Sequence, residues 1–352
     1  MKSNHHSIIG WDIGGVNVKA VRIDFQNQRI ISHQVVVRPY EIWRDLDNLI
    51  DRLQQIGAEL GVQDASPMAV TMTAELSDVF RTKRDGVIHV LNAIGQSFGE
   101  TSIYAFTLEE QFLSLDEALE VPLLCAATNW LASALFIAED HPDSILMDIG
   151  STTTDIIPIR EGKPVIQGRT DTQRLITGEL VYTGVLRTNP NTIADHVPVQ
   201  GRRCRVAAEH FASMADVYLI LGQITPEEYT CPSADGKAKT VSSSQDRLSR
   251  LVCSDGEIMG EEEIAKLAGY LGEKQLHQIM EATMQVLSGL SGGSPLAMAV
   301  AGTGGFLAKE TAKRLGMPVV DLAREWKGRA TASFPALAVA YLLASELYGD
   351  LE

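Results

Sequence analysis

One motif occurs twice in the chain, and the repeat restricts the fold more than any other feature. Ser7-Ile-Ile-Gly-Trp-Asp12-Ile-Gly14-Gly15 aligns on its aspartate with Ser144-Ile-Leu-Met-Asp148-Ile-Gly150-Ser151, an offset of 136 residues. In each copy a short apolar run ends in Asp-Ile-Gly, small or polar residues follow, and a second alternating run begins. The second runs are Val18-Lys-Ala-Val-Arg-Ile23 and Thr154-Asp-Ile-Ile-Pro-Ile159. Each copy reads as a buried strand, a tight turn and a hairpin partner. A third strand candidate follows each, at residues 29–37 and 163–167.

The remaining elements complete two similar lobes. Leu46, Leu49, Ile50, Leu53, Ile56 and Leu60 recur at helical spacing. Strands are expected at 68–72 and 102–106. Later come helices over 207–221 and 261–287, a small-residue strand at 296–301, and a last helix over 334–347 with Pro335 near its start. Residues 230–244, rich in Ser, Lys and Gly, read as a mobile surface loop. Three strands in a meander followed by αβα, repeated once, is an α/β fold with two related lobes.

Composition sets limits on partners. The 352 residues carry 30 Lys and Arg against 45 Asp and Glu, a net charge of −15. Nucleic acid and anionic membrane surfaces are repelled on average. The longest apolar stretch, 123–138, is broken by Thr128, Asn129 and Ser133, so no membrane helix is expected. The N-terminus leads straight into Ile8-Ile9 with no signal-peptide pattern. Four scattered cysteines and no CxxC suggest reduced thiols in a cytoplasmic protein, and the eight histidines show no paired ligand spacing. A homodimer is left open by the sequence.

Three motifs carry chemistry. In Asp12-Ile-Gly14-Gly15-Val16-Asn17-Val18-Lys19 a carboxylate at a strand end meets glycines whose backbone can approach an anion. Lys19 shares its strand face with Asn17, so it either needs a buried partner or is solvated. In Asp148-Ile-Gly150-Ser151-Thr152-Thr153-Thr154-Asp155 four consecutive hydroxyls offer donors suited to a phosphate, or else begin a β-branched strand. Ala301-Gly302-Thr303-Gly304-Gly305 links an apolar strand to a helix, where an anion is favoured at the N-terminus.

In this order the motifs resemble those of the sugar kinase/Hsp70/actin superfamily: two phosphate motifs and a later glycine-rich adenosine motif. The resemblance implies two RNase H-like lobes, each βββαβα, around a central cleft. The first lobe would be 1–135 plus 330–352 and the second 136–329. Sugar kinases of this fold usually carry threonine after the Gly-Gly, where this chain has Val16-Asn17. The helix near 126–138 presents Thr128 and Asn129, neither able to act as a carboxylate base.

Met72-Thr-Ala-Glu75-Leu-Ser-Asp78-Val-Phe80, Tyr182-Thr-Gly-Val-Leu-Arg187-Thr and Glu209-His-Phe-Ala-Ser-Met-Ala-Asp216-Val-Tyr are similar to the hydantoinase/oxoprolinase-like group. Within it, Asp-Ile-Gly-Gly-x-Asn-x-Lys resembles the methanofuran-biosynthesis condensing enzymes, a tetrahydromethanopterin-linked one-carbon-pathway family. That resemblance implies a transferase joining an aminomethylfuran-methyl diphosphate to the phenol of γ-glutamyltyramine or a tyrosine analogue, with release of diphosphate. The residue types suit that chemistry. Mg²⁺ on Asp12 and Asp148, with Lys19, would offset the leaving charge, and Glu75 or Asp216 would take the phenolic proton. A helix cap or salt bridge is the alternative for Glu75. Phosphate contacts would come from Gly14, Gly15, Asn17, Gly150, Ser151, Thr152, Thr153, Gly302, Thr303 and Gly304. Arg187 would fork onto a phosphate or join a structural ion pair, and Asp155, aligned with Lys19, would meet a cation. The competing reading of the phosphate and adenosine motifs is an ATP-dependent hydantoinase/oxoprolinase-like hydrolase or a small-molecule kinase, with ATP as its cofactor.

Overall fold

The computed structural model of the protein describes residues 5–62, 66–99, 101–292, 294–326, 333–349 and 351. Residues 1–4, and 330–332 at the expected start of the returning C-terminal segment, lie outside the described residues. The chain forms two compact units. The first comprises Met1–Ser144, Ile159–Val165 and Leu322–Glu352, and the second Ile145–Pro158 and Ile166–Asp321.

The first unit is built on β1 (His5–Ile13), β2 (Asn17–Gln26), β3 (Arg29–Pro39), β4 (Met68–Met72), β5 (Ile103–Phe106) and β6 (Phe112–Ser114), in spatial order β3-β2-β1-β4-β5-β6. Three antiparallel strands and then parallel β1, β4 and β5 form the meander-plus-crossover pattern expected from the sequence. Alternation along β1 separates its faces. Ile9, Trp11 and Ile13 join a core with Leu53 and Ile56 of α1 (Leu49–Glu59) and Val87, Val90 and Ile94 of α2 (Lys83–Ser97).

Helices α3 (Leu115–Glu120) and α4 (Asn129–Asp140) complete the first run of the chain. Gly10 and Asp12 point to the other face. There α11 (Phe334–Tyr348), apolar nearly all round, lies on the sheet. A Cβ at Gly10 would stand 1.9 Å from the Ala336 carbonyl oxygen and 2.8 Å from Ala340 Cβ. The His6 ring lies 4.3 Å from that of Tyr348. The helix therefore runs antiparallel to β1, with its N-terminus toward the Asp12 end. Helix α4 packs on α11 through Phe136 against Phe334 and Tyr341, which is why this unit extends to Ser144 where the sequence places a lobe end at 135. Gly10→Ala is expected to cost about 1–3 kcal/mol through forced separation of α11 from β1. Thermal unfolding checks this; an unchanged midpoint would contradict the close approach.

The second unit contains β7 (Ser144–Ile149), β8 (Thr154–Arg160), β10 (Leu180–Val181), β13 (Ala297–Ala301) and β14 (Val319–Asp321), in order β10-β8-β7-β13-β14. The two-residue β9 (Lys163–Pro164) pairs with the end of β8, and β11 (His196–Val199) with β12 (Arg202–Arg205) makes a separate hairpin. Around them lie α5 (Asp171–Thr177), α6 (Met214–Ile220), α7 (Val241–Ser249), α8 (Glu261–Ser288) and α9 (Gly305–Arg314). Leu271, Leu276 and Ile279 of α8 share a core with Met147, Ile149 and Tyr218. The four-residue α10 (Leu322–Glu325) belongs to the first unit.

Two expectations are corrected here. The helix expected over 207–221 begins only at Met214, because Asp216 caps the Ser213 N–H (2.9 Å) and fixes the start there. Residues 230–244 are not simply a surface loop. Ser244 is fully buried in α7, and Arg247 of α7 bonds Asp235 (3.1 Å) and the Ala238 carbonyl (3.3 Å), holding the segment down.

Candidate functional site

The two copies of the motif close in the same way. The Gly14 N–H donates to the Asn17 carbonyl (3.0 Å), and the Gly150 N–H to the Thr153 carbonyl (2.9 Å), at matching positions of the repeat. A Cβ at Gly14 would lie 2.9 Å from that Asn17 oxygen, so the tight turn requires glycine there; at Gly15 it would meet open space. The first turn is pinned by Tyr40 N–H on the Val16 carbonyl and Ile42 N–H on the Gly15 carbonyl.

In the first unit a polar row crosses the sheet. Lys19 and Asp12 are directly opposed on β2 and β1, and Lys19 Nζ bonds Asp12 Oδ2 at 3.0 Å. Thr71 is in register with Asp12 on β4, and its hydroxyl is 2.8 Å from that of Thr128, which precedes α4 and donates to the Phe106 carbonyl. Asp12 is 2% exposed, and its Oδ1 is buried with no hydrogen-bond partner among the described residues. A buried carboxylate oxygen in that state favours a donor or a cation from a ligand. Glu75, also buried, sits in the short turn after β4, hard against Gly86, where a Cβ would stand 2.6 Å from the Glu75 backbone.

In the second unit two segments close on the Gly150-Ser151-Thr152 turn. The N–H groups of Leu186 and Arg187 both donate to the Ser151 carbonyl (3.1 and 2.9 Å), and Val185 N–H donates to Gly150. Gly184 fits only without a side chain: its Cβ would lie 2.5 Å from the Thr152 nitrogen. The Gly302 turn approaches from β13. Gly302 has φ +80°, and a Cβ there would be 2.3 Å from Asp148 Oδ1. Gly304 N–H donates to the Ile149 carbonyl (2.8 Å), and Thr303 between them is exposed. Asp148, Gly150, Ser151, Thr152, Arg187, Gly302 and Gly304 are thus brought together. Asp155 meets Arg174 at 2.7 Å, a contact in which the arginine is buried.

Asp216 is the clearest departure from expectation. It is fully buried: its Oδ1 accepts from Arg247 (2.7 and 2.9 Å), Ser244 (2.8 Å) and Tyr229 (3.2 Å), and its Oδ2 from Ser213. Burial, and next Asp216, push the Tyr229 phenol up, so it stays a donor. A carboxylate occupied in this way holds α6 to α7 and is not positioned to accept a substrate proton. Sequence reading missed Gly184, the Thr71–Thr128 pair and Arg247, whose partners are distant in the chain. Among the described residues no group of three or more His, Cys, Asp or Glu could hold a metal alone.

Two sheets of this order, each opening on the repeated Asp-Ile-Gly hairpin, define the duplicated RNase H-like fold of the sugar kinase, Hsp70 and actin class. A nucleotide-free acetone carboxylase shares the fold, with a TM-score of 0.59 at 13% identity over 96% of this chain and 70% of that one. The hydantoinase/oxoprolinase family model matches residues 67–346, and the chain belongs to this family. A relative from Methanocaldococcus jannaschii is 38% identical over 275 residues, 78% of this chain and 80% of its own length. It is named (4-{4-[2-(gamma-L-glutamylamino)ethyl]phenoxymethyl}furan-2-yl)methanamine synthase. A Methanococcus vannielii protein of the same name is 30% identical over 225 residues, 62% of this chain and 99% of its own.

Proposed function

We propose that the chain is a transferase that joins an aminomethylfuran-methyl diphosphate to the phenol of γ-glutamyltyramine, or of a tyrosine analogue, in methanofuran-type cofactor biosynthesis. The observation that carries the reading is the 38% identity, over 78% of this chain and 80% of the relative, to a synthase named for this aryl ether. The ATP-dependent hydrolase or kinase is not favoured by these relatives. All four cysteines are free thiols, which supports a cytoplasmic setting, and among the described residues no helix is long and apolar enough to cross a membrane.

In the reaction a phenol oxygen lone pair forms the new C–O bond at the furylmethyl carbon. The bond from that carbon to the bridging diphosphate oxygen breaks, and its electron pair leaves with the diphosphate. Ser151 and Thr152, in the turn closed by the Gly150 N–H, would offer hydroxyls and N–H groups to the leaving group, with Arg187 in the segment that packs on the turn. Lys19 holds one oxygen of Asp12, and the other, buried without a hydrogen-bond partner among the described residues, is the one proposed to meet the metal. Mg²⁺ fits such donors, since it takes one or two carboxylates and keeps its remaining shell for water and substrate phosphate; Asp12 and Asp148 are the proposed ligands, and bound metal would offset diphosphate charge. Glu75 takes the phenolic proton as bonding proceeds.

The test incubates purified protein with the furan diphosphate, γ-glutamyltyramine and Mg²⁺. Equal amounts of pyrophosphate and ether product are expected, without ATP. No ether with either a tyramine-type or a tyrosine-type acceptor would remove the reading.

A further inference from the structure

We propose that residues 230–240 form one wall of the donor's diphosphate subsite, and that Lys239 acts with Arg187 as the cation pair that grips the diphosphate. The proposal rests on the transferase reading above and adds a residue to it.

The segment is built rather than loose. Arg247 is fully buried and bonds both Asp235 and the Ala238 carbonyl, while Ser233 Oγ donates to the Lys237 carbonyl at 2.7 Å. Asp235 is already shared among Arg247, Arg250 and Lys237, at 3.1, 3.5 and 4.0 Å. Lys239 is left with no ion pair among the described residues. Its Nζ instead lies 5.4 Å from the centre of the Tyr229 ring, which steers the ammonium without neutralising it.

A short chain of contacts ties that ring to the phosphate turn. Tyr229 Oη is 3.1 Å from Ser213 Oγ. From the start of α6, Met214 N–H donates to the Thr188 carbonyl (2.8 Å) and Ala215 N–H to the Leu186 carbonyl (3.2 Å). Leu186 and Arg187 in turn hold the Ser151 carbonyl. Cys231 stands within the fields of both cations: burial raises its thiol, and Arg187 and Lys239 oppose that rise. Lys239 over the Tyr229 ring, and Arg187 in the segment whose backbone closes the hydroxyl turn, suit a multiply charged anion in a chain of net charge −15.

Titration calorimetry with inorganic pyrophosphate and Mg²⁺ tests the assignment on the whole chain, alongside the turnover assay. Lys239→Met keeps the stem over Tyr229 and removes the charge, so the protein stays folded. Its affinity for pyrophosphate is expected to fall about tenfold or more, and the donor's KM to rise with it, with Lys239→Arg close to the parent. Equal pyrophosphate affinity in parent and Lys239→Met would overturn the subsite, and so would an effect confined to the acceptor's KM, which would place the pair on the acceptor's carboxylate. A parent that forms no ether removes the transferase reading itself, whatever Lys239→Met does to binding.

Discussion

Asp12→Asn is expected to lower turnover about 10³-fold while leaving the protein folded, because it removes the anionic ligand proposed for the Mg²⁺ that would offset the leaving group's charge. Asparagine is nearly isosteric, so the row Lys19–Asp12–Thr71 keeps its shape, and Lys19, whose side chain is 26% exposed, reaches water when its partner is neutral. The stability cost is about 1–2 kcal/mol, since Lys19 regains water while the buried amide at position 12 loses the ionic hydrogen bond. Activity and stability should therefore separate: pyrophosphate release collapses while the thermal midpoint moves by a few degrees. The carboxylate's role rests on Oδ1, which is buried and lacks a hydrogen-bond partner among the described residues. Turnover within tenfold of the parent would assign Asp12 to the hairpin alone.

The largest stability effect is expected at Arg247→Met, about 3–5 kcal/mol, because it strands the fully buried Asp216 carboxylate. Arg247 supplies two of the bonds to Asp216 Oδ1 and also anchors residues 235 and 238. Adding Asp216→Leu to Arg247→Met should recover part of the loss, since no charge then remains buried; recovery stays incomplete because Ser213, Ser244 and Tyr229 each lose an acceptor. Urea unfolding of the parent, the single variant and the double variant checks both statements. A loss below about 1 kcal/mol in the single variant would mean that Asp216 is solvated and still a candidate base.

These two residues show what was legible in the sequence. The Asp12 hairpin was, because its closure is local: Gly14 bonds a residue three positions on, and the second copy repeats that spacing at Gly150. Strand β4 was legible as a short apolar run broken by Thr71 alone, and α11 as an apolar run with proline near its start. Helix α2 was not, since Gly86 and the charges at Lys83, Arg84 and Asp85 obscure its apolar face; the glycine is explained by Glu75 and Phe80 packed against it. Asp216 looked like chemistry because its partner lies 31 positions later, on a helix inside a Ser- and Lys-rich stretch. Gly184 was visible as a letter of a family-like motif, but its contact with the Thr152 nitrogen belongs to tertiary structure alone.

A labelled acceptor shows whether the chain makes an aryl ether by displacing diphosphate from a furylmethyl carbon. With γ-glutamyltyramine carrying ¹⁸O at the phenol, the furan diphosphate, Mg²⁺ and no ATP, the label is expected to be retained in the ether and absent from the pyrophosphate released with it. Label in the pyrophosphate, or an ether formed only when ATP is supplied, would contradict it.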